Sequence, residues 1–251
     1  MNQVNSNIDS TVAEIVTDDF RTVEVFKRYG IDFCCGGKKS IARVCSEKNL
    51  DVKVVEEELS AIKNRPAETE HNFAEWKLAF LADYIVNVHH QYVNNNLALI
   101  GGFADKVARV HGHHDTETVE INSLWKEIEA ELTDHMKKEE LLLFPYIKNL
   151  EQKADGLIED MPKSHFGTVK NPVRMMEHEH ENVGNSMHRI QFLSNNFTPP
   201  DYACNTYKVL YAKLKEFSDD LHLHIHLENN ILFPKSVKLE ENLFNIKVEA
   251  L

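Results

Sequence analysis

The chain of 251 residues is poor in everything that marks a fibrous, exported or β-rich protein. It has 9 glycines and 7 prolines, too few for a collagen-like or low-complexity chain. Four cysteines in a chain of this length are too few for a disulfide scaffold. No apolar run approaches the ~20 residues of a membrane span. The stretch MNQVNSNIDSTVAEIV has neither the basic region nor the apolar core of an export signal, so the expected location is cytoplasmic, with no membrane partner. Positive charge is also scarce. Lys and Arg number 28 against 40 Asp and Glu, a net charge of −12. Such a chain repels phosphate backbones, which argues against nucleic acid. Strand-type alternation is nearly missing. What remains is 42% hydrophobic residues, enough for a sizeable core, long Leu/Glu/Lys-rich stretches of helical character, and 14 histidines.

The organisation read from these stretches is all-α. Residues 1–62 form a small helical domain, with helical patterns at Thr11–Val16, Phe20–Tyr29 and Ile41 to about Leu59, broken near Asn49-Leu50. Gly30 is a helix stop. Residues 63–72 (KNRPAETEHN) are a polar linker. Residues 73–240 hold four long helical segments, Phe73–Arg109, Thr118–Leu150, Asn171–Asn196 and Asp201–Lys238, as an antiparallel bundle requires. Residues 241–251 are a tail with no strong signal.

An internal repeat orders the bundle. HMKKEELLLFP (His135–Pro145) matches HIHLENNILFP (His224–Pro234) at an offset of 89 residues. A helix with its own histidines precedes each copy, His89-His90 in one half and His178/His180 in the other. In each copy a His stands four residues before a Glu, on one helix face and within reach of a common ion. In the fourth helix, Leu210, Leu214, Phe217, Leu221, His224, Glu228 and Ile231 form a core stripe. Leu124, Ile128, His135, Glu139 and Leu142 do so in the second. A charged Glu in a bundle core is costly unless paired or metal-bound. In the third helix His180 shares the apolar face of Val173, Met176, Val183, Met187 and Ile190, and His178 does not. In the first, the repeat allows His89 with His178 or His90 with His180; the inward His180 favours His90. His222 and His226 fall off the stripe and are read, with His111, His113 and His114, as surface residues.

Four imidazoles and two carboxylates without thiolate suit iron, manganese or zinc, and argue against a structural zinc site. Two carboxylates among six ligands fit a metal pair bridged by both. Each ion then has roughly two nitrogens and two bridging oxygens, with about two positions left for an oxo bridge or a ligand. Glu131, one turn before His135, is a candidate outer carboxylate.

On these motifs the four-helix part resembles a haemerythrin-like domain. It departs from the oxygen carriers, which use a fifth histidine and an aspartate, whereas both halves here carry HxxxE. With the N-terminal DFCCGG, the symmetric pattern resembles the repair-of-iron-centres family, the ScdA/YtfE-type di-iron proteins, over about Ser10 to Lys238. The resemblance implies a homodimeric stress protein with two non-haem irons in an oxo-bridged centre. It implies iron ligands at His90, His135, Glu139, His180, His224 and Glu228, and so decides between His89 and His90. The implied partners are iron–sulfur proteins damaged by nitrosative or oxidative stress. Alternative readings are a di-iron enzyme that reduces nitric oxide, or a module that binds or senses dioxygen.

The second motif is IDFCCGGKKS. Gly36 and Gly37 permit a tight turn. Lys38, Lys39 and a following helix N-terminus are expected to favour thiolate at Cys34 or Cys35, making them a redox-active or iron-handling pair. Cys45 and Cys204, in apolar helical surroundings, are expected to be buried and inert.

Overall fold

Local chemistry sets the boundaries of the N-terminal helices in the computed structural model, which describes residues 9–34, 36–65 and 72–244. Helix α1 (Val12–Asp18) starts at Thr11, whose hydroxyl accepts from the Glu14 N–H while the Glu14 carboxylate accepts from the Thr11 N–H, a reciprocal cap. A single 3-10 turn, Phe20–Thr22, leads into α2 (Val23–Arg28), and Gly30 at φ +60 reverses the chain after it. Ser40 caps α3 (Ile41–Glu47) and Asp51 caps α4 (Val52–Lys63), with Asn49 left-handed at φ 55 between them. The break expected at Asn49-Leu50 is this connection. Val12, Phe26, Phe33, Ile41, Val55 and Leu59 are central to the core of this small unit. The compact unit that contains it comprises Met1–Lys77 together with Ile225–Pro234.

The larger unit comprises Leu78–His224 and Lys235–Leu251. Its chain path is α5 (Leu78–Tyr84), α6 (Gln91–His111), α7 (Glu117–Lys138), α8 (Phe144–Ala154), α9 (Lys170–Leu193), α10 (Asn205–Leu227) and α11 (Phe233–Phe244). The last helix thus runs past the expected boundary at 240. Helix α6 packs along α7, and α7 along α9. Glu151 of α8 caps α5 by accepting from the Leu78 and Ala79 N–H groups, at 2.8 and 3.0 Å. Buried Glu240 accepts from Tyr146 Oη at 2.6 Å and from the Val169 N–H at 3.0 Å, which anchors the start of α9. No strand ladder occurs among the described residues; one isolated bridge joins Thr11 and Ser40.

Three helical junctions are wider than α. Ile85–His90, Glu139–Leu143 and Glu228–Leu232 are π-helical. In the latter two the i→i+5 bonds run from the Phe144 N–H to the Glu139 carbonyl and from the Phe233 N–H to the Glu228 carbonyl. A proline follows each, Pro145 and Pro234. Proline has no N–H to donate and its ring collides with the carbonyl four residues back in a regular helix. Widening the preceding turn removes that collision and keeps the helix continuous.

The extra residue changes the register. Leu142, expected on the core stripe, is 55% exposed, and Leu143 is buried in its place. Leu124 is half-buried, with Trp125 carrying the core contact. The stripes of α9 and α10 are buried as expected.

Candidate metal centre

Each helix of the bundle presents its donors from a position the packing pattern selects. His90 ends the first π-segment. His135 and Glu139 straddle the end of α7, His180 lies in the middle of α9, and His224 and Glu228 straddle the end of α10. All six side chains belong to residues at most 2% exposed. One donor atom from each of His90, Glu139, His224 and Glu228 lies within 4.8 Å of the others, and the same holds for His135, Glu139, His180 and Glu228. The two groups share both glutamates and divide the four histidines between them. His89 is as buried as His90, yet it belongs to neither group. Its Nδ1 meets Asp220 Oδ1 at 2.9 Å and its ring stacks on that of His224.

Outer carboxylates orient two of the rings. His90 Nδ1 lies 2.8 Å from Glu140 Oε1, and His135 Nδ1 lies 2.8 Å from Glu179 Oε2. An ionised carboxylate only accepts, so Nδ1 carries the proton in both and Nε2 of a neutral ring is a bare lone pair. Those lone pairs face other donors. His90 Nε2 is 3.3 Å from Glu139 Oε2, and His135 Nε2 is 3.2 Å from the same oxygen and 3.0 Å from His180 Nε2. Lone pairs gathered at this range in a dry core repel unless a proton or a metal cation lies among them. The donor set therefore fits a metal, and its imidazole and carboxylate composition fits iron. Burial opposes ionisation of Glu179, but hydrogen bonds from His135 and Lys138 outweigh it and bring its pKa down to about 2.

Glu140 escaped the sequence reading, and Glu179 entered it only as an acidic neighbour off the stripe whose loss should leave iron in place. Both are sequence neighbours of a core donor, Glu139 and His180, and that adjacency was the available signal. Glu131 is half-buried and makes no hydrogen bond to the clustered histidines. The carboxylate on His135 is Glu179.

The DFCCGG turn also departs from expectation. Cys34 is 4% exposed. Its N–H and its thiol both donate to Asp32 Oδ1, at 2.9 and 3.1 Å, and the Gly36 N–H donates to Asp32 Oδ2 at 3.0 Å. A carboxylate at this distance favours thiol over thiolate. Lys39 is drawn to Glu47 at 2.7 Å, and α3 begins at Ile41, beyond the turn. Cys35 lies outside the described residues. Cys45 is buried as expected, and burial raises its pKa, with Glu56 and Asp51 adding to the effect. Cys204 is exposed, with Sγ 3.5 Å from His111 Nε2. His113 and His114 are exposed as expected, His111 and His222 are half-buried, and His226 is fully buried. No helix among the described residues is long and apolar enough to cross a membrane.

Comparison with known families agrees with this geometry. Residues 81–236 match the hemerythrin HHE cation binding domain, and residues 8–63 match ScdA_N, a domain of unknown function. A protein of Yersinia pestis (strain Pestoides F) named iron-sulfur cluster repair protein YtfE is 36% identical over 224 residues, covering 88% of this chain and 93% of that one. Its namesake in Yersinia pseudotuberculosis serotype O:1b (strain IP 31758) matches to the same extent. A haemerythrin HHE domain implies iron, and the buried His/Glu cluster supplies the donors for it. With both domains in order and nearly the whole length aligned, the chain belongs to the YtfE family of iron–sulfur cluster repair proteins.

Proposed function

We propose that this protein repairs damaged iron–sulfur clusters in other proteins, using two irons held in the bundle core. One observation carries the reading: Glu139 and Glu228 belong to both four-residue groups, while His90 and His224 belong to one and His135 and His180 to the other. Two ions sharing two carboxylates, with two imidazoles each, match that partition. The cations offset the cost of burying both charges. All six ligands lie within residues 73–240, which we assign as the iron-holding domain.

Iron held there supplies redox capacity and open coordination positions for a small ligand such as nitric oxide or dioxygen. The chain's own residues do the rest. Glu140 and Glu179 hold the Nδ1 protons of His90 and His135 and turn Nε2 inward. Buried Phe144, whose ring stacks on that of His90, keeps water from that donor. Cys34 and Cys35 are assigned to contact with the client or to passage of iron, a part that an oxygen carrier does not need. The clients are iron–sulfur proteins damaged by nitrosative or oxidative stress, and we place the protein in the cytoplasm. A homodimer is the family expectation.

The test joins metal content to repair. Purified wild-type protein should hold about two irons per chain with a coupled Mössbauer signal, and should reactivate a nitrosylated iron–sulfur enzyme. Glu139→Ala and Glu228→Ala should each lose both ions and the reactivation. One zinc and no iron after anaerobic expression, or loss of a single ion from each variant, would defeat the reading.

A further inference from the structure

His226 does not fit the role of a surface residue. Its ring is 1% exposed and packs between Phe20 and Phe33, with centroids 6.1 and 5.9 Å away. Asn230, one turn on, donates through Nδ2 to the Phe33 carbonyl at 3.2 Å and to His226 Nδ1 at 3.0 Å. Because Nδ1 accepts, Nε2 carries the proton, and the ring donates it to the same Phe33 carbonyl.

That carbonyl immediately precedes Cys34. Behind it the turn is closed. A Cβ on Gly37 would lie 2.5 Å from the Phe33 oxygen and 2.9 Å from Ala13 Cβ, so only glycine leaves the carbonyl where it is. Asp32 ties the other side by accepting from Cys34 and Gly36. The turn is thus built around two acceptors, one of which is held by His226 and Asn230. Those two residues stand two positions before and two after Glu228, on the helical stretch Ile225–Pro234 that belongs to the same compact unit as the turn.

We propose that His226 and Asn230 latch the Cys34 turn, through the Phe33 carbonyl, to the segment carrying Glu228, so that metal binding at Glu228 lowers the reactivity of the Cys34 thiol. The proposal rests on Glu228 being a metal ligand. Metal at Glu228 fixes the helical turn from His226 to Asn230 and so fixes both hydrogen bonds. The Cys34 thiol then stays buried against Asp32. Without metal the segment and the turn loosen together. Coupling of this kind is reciprocal, so modification of Cys34 weakens metal binding by the same factor.

The experiment uses full-length protein, metal-free and loaded anaerobically with ferrous ion, with iron content measured in each sample. The alkylation rate by iodoacetamide is followed at the Cys34 peptide by mass spectrometry. Loaded wild type should react more slowly than metal-free by about fivefold or more, the lower end of typical coupling. Asn230→Ala should take up iron and react at one rate in both states. Gly37→Ala displaces the Phe33 carbonyl from the far side, nearly two hundred residues along the chain from Glu228, and should behave the same way. Equal rates in loaded and metal-free wild type overturn the proposal. So does protection that persists in an iron-loaded Gly37→Ala protein, which is what direct binding of iron by the thiols would produce. Wild type that takes up no ferrous ion refutes the metal reading and the latch with it; uptake without protection refutes the latch alone.

Discussion

Removing the Glu179 carboxylate should weaken metal binding without removing a ligand. Glu179 accepts from His135 Nδ1 at 2.8 Å and pairs with Lys138, and its side chain is 19% exposed. Glu140 accepts from His90 Nδ1 at the same distance, but it is 37% exposed and no second hydrogen bond of its carboxylate is seen. Loss of such an outer partner typically costs 10–100-fold in metal affinity, about 1.4–2.7 kcal/mol. The more buried, doubly held Glu179 belongs near the upper figure. Water screens Glu140 and rehydrates its histidine when it is lost, which puts it near about tenfold or below. Glu179→Gln keeps an acceptor for Nδ1 without the charge and should fall between wild type and Glu179→Ala. Competition of metal-free protein with a chelator of known ferrous affinity reads these differences directly. Far-UV circular dichroism checks that each variant stays helical. A Glu179→Ala protein that binds as tightly as wild type, or a larger loss from Glu140→Ala, would refute the assignment of these carboxylates.

Two further outcomes follow from local geometry. Leu143→Ala should cost about 2–5 kcal/mol in urea denaturation and Leu142→Ala within about 0.5 kcal/mol, because the π-turn buries the first and exposes the second; the reverse order would restore the plain α register. Asp32→Asn should speed alkylation of Cys34 severalfold at neutral pH, since it removes the negative charge 3.1 Å from the sulfur; an unchanged rate would detach Asp32 from the thiol.

The chemistry of the core was readable in the sequence because it obeys packing periodicity. His180 sits on the same apolar stripe as Met176 and Val183, and His224 with Glu228 continues the stripe of Leu210 to Leu221. Their inward placement follows from spacing alone. The π-turns were not readable that way. A one-residue widening is invisible to a 3.6-residue pattern until it ends, and so Leu142 was assigned the place of Leu143. His89 is buried beside His90 and held by Asp220, a tertiary contact that spacing does not announce. Glu179 and Asp32 make contacts set by tertiary structure or by turn geometry, and both look like ordinary acidic residues in sequence. Cys204 follows a helix-breaking TPP stretch and starts no apolar periodicity of its own until Tyr207, so its exposure reflects a loop rather than the helix it precedes.

The paired π-turns bear on any attempt to graft this centre into an idealised scaffold. The transferable unit is not the five-residue HxxxE motif but the eleven-residue passage from His135 to Pro145, or from His224 to Pro234. Copying only the His and Glu into a straight helix leaves the liganding turn intact. It rotates every later side chain by roughly 100° relative to the native passage, the angle one residue spans in a helix. A transplanted site would then hold its ions against the wrong downstream face. A designer who inserts one extra residue after each glutamate, and follows it with Phe-Pro, should recover the native alignment of the lower bundle.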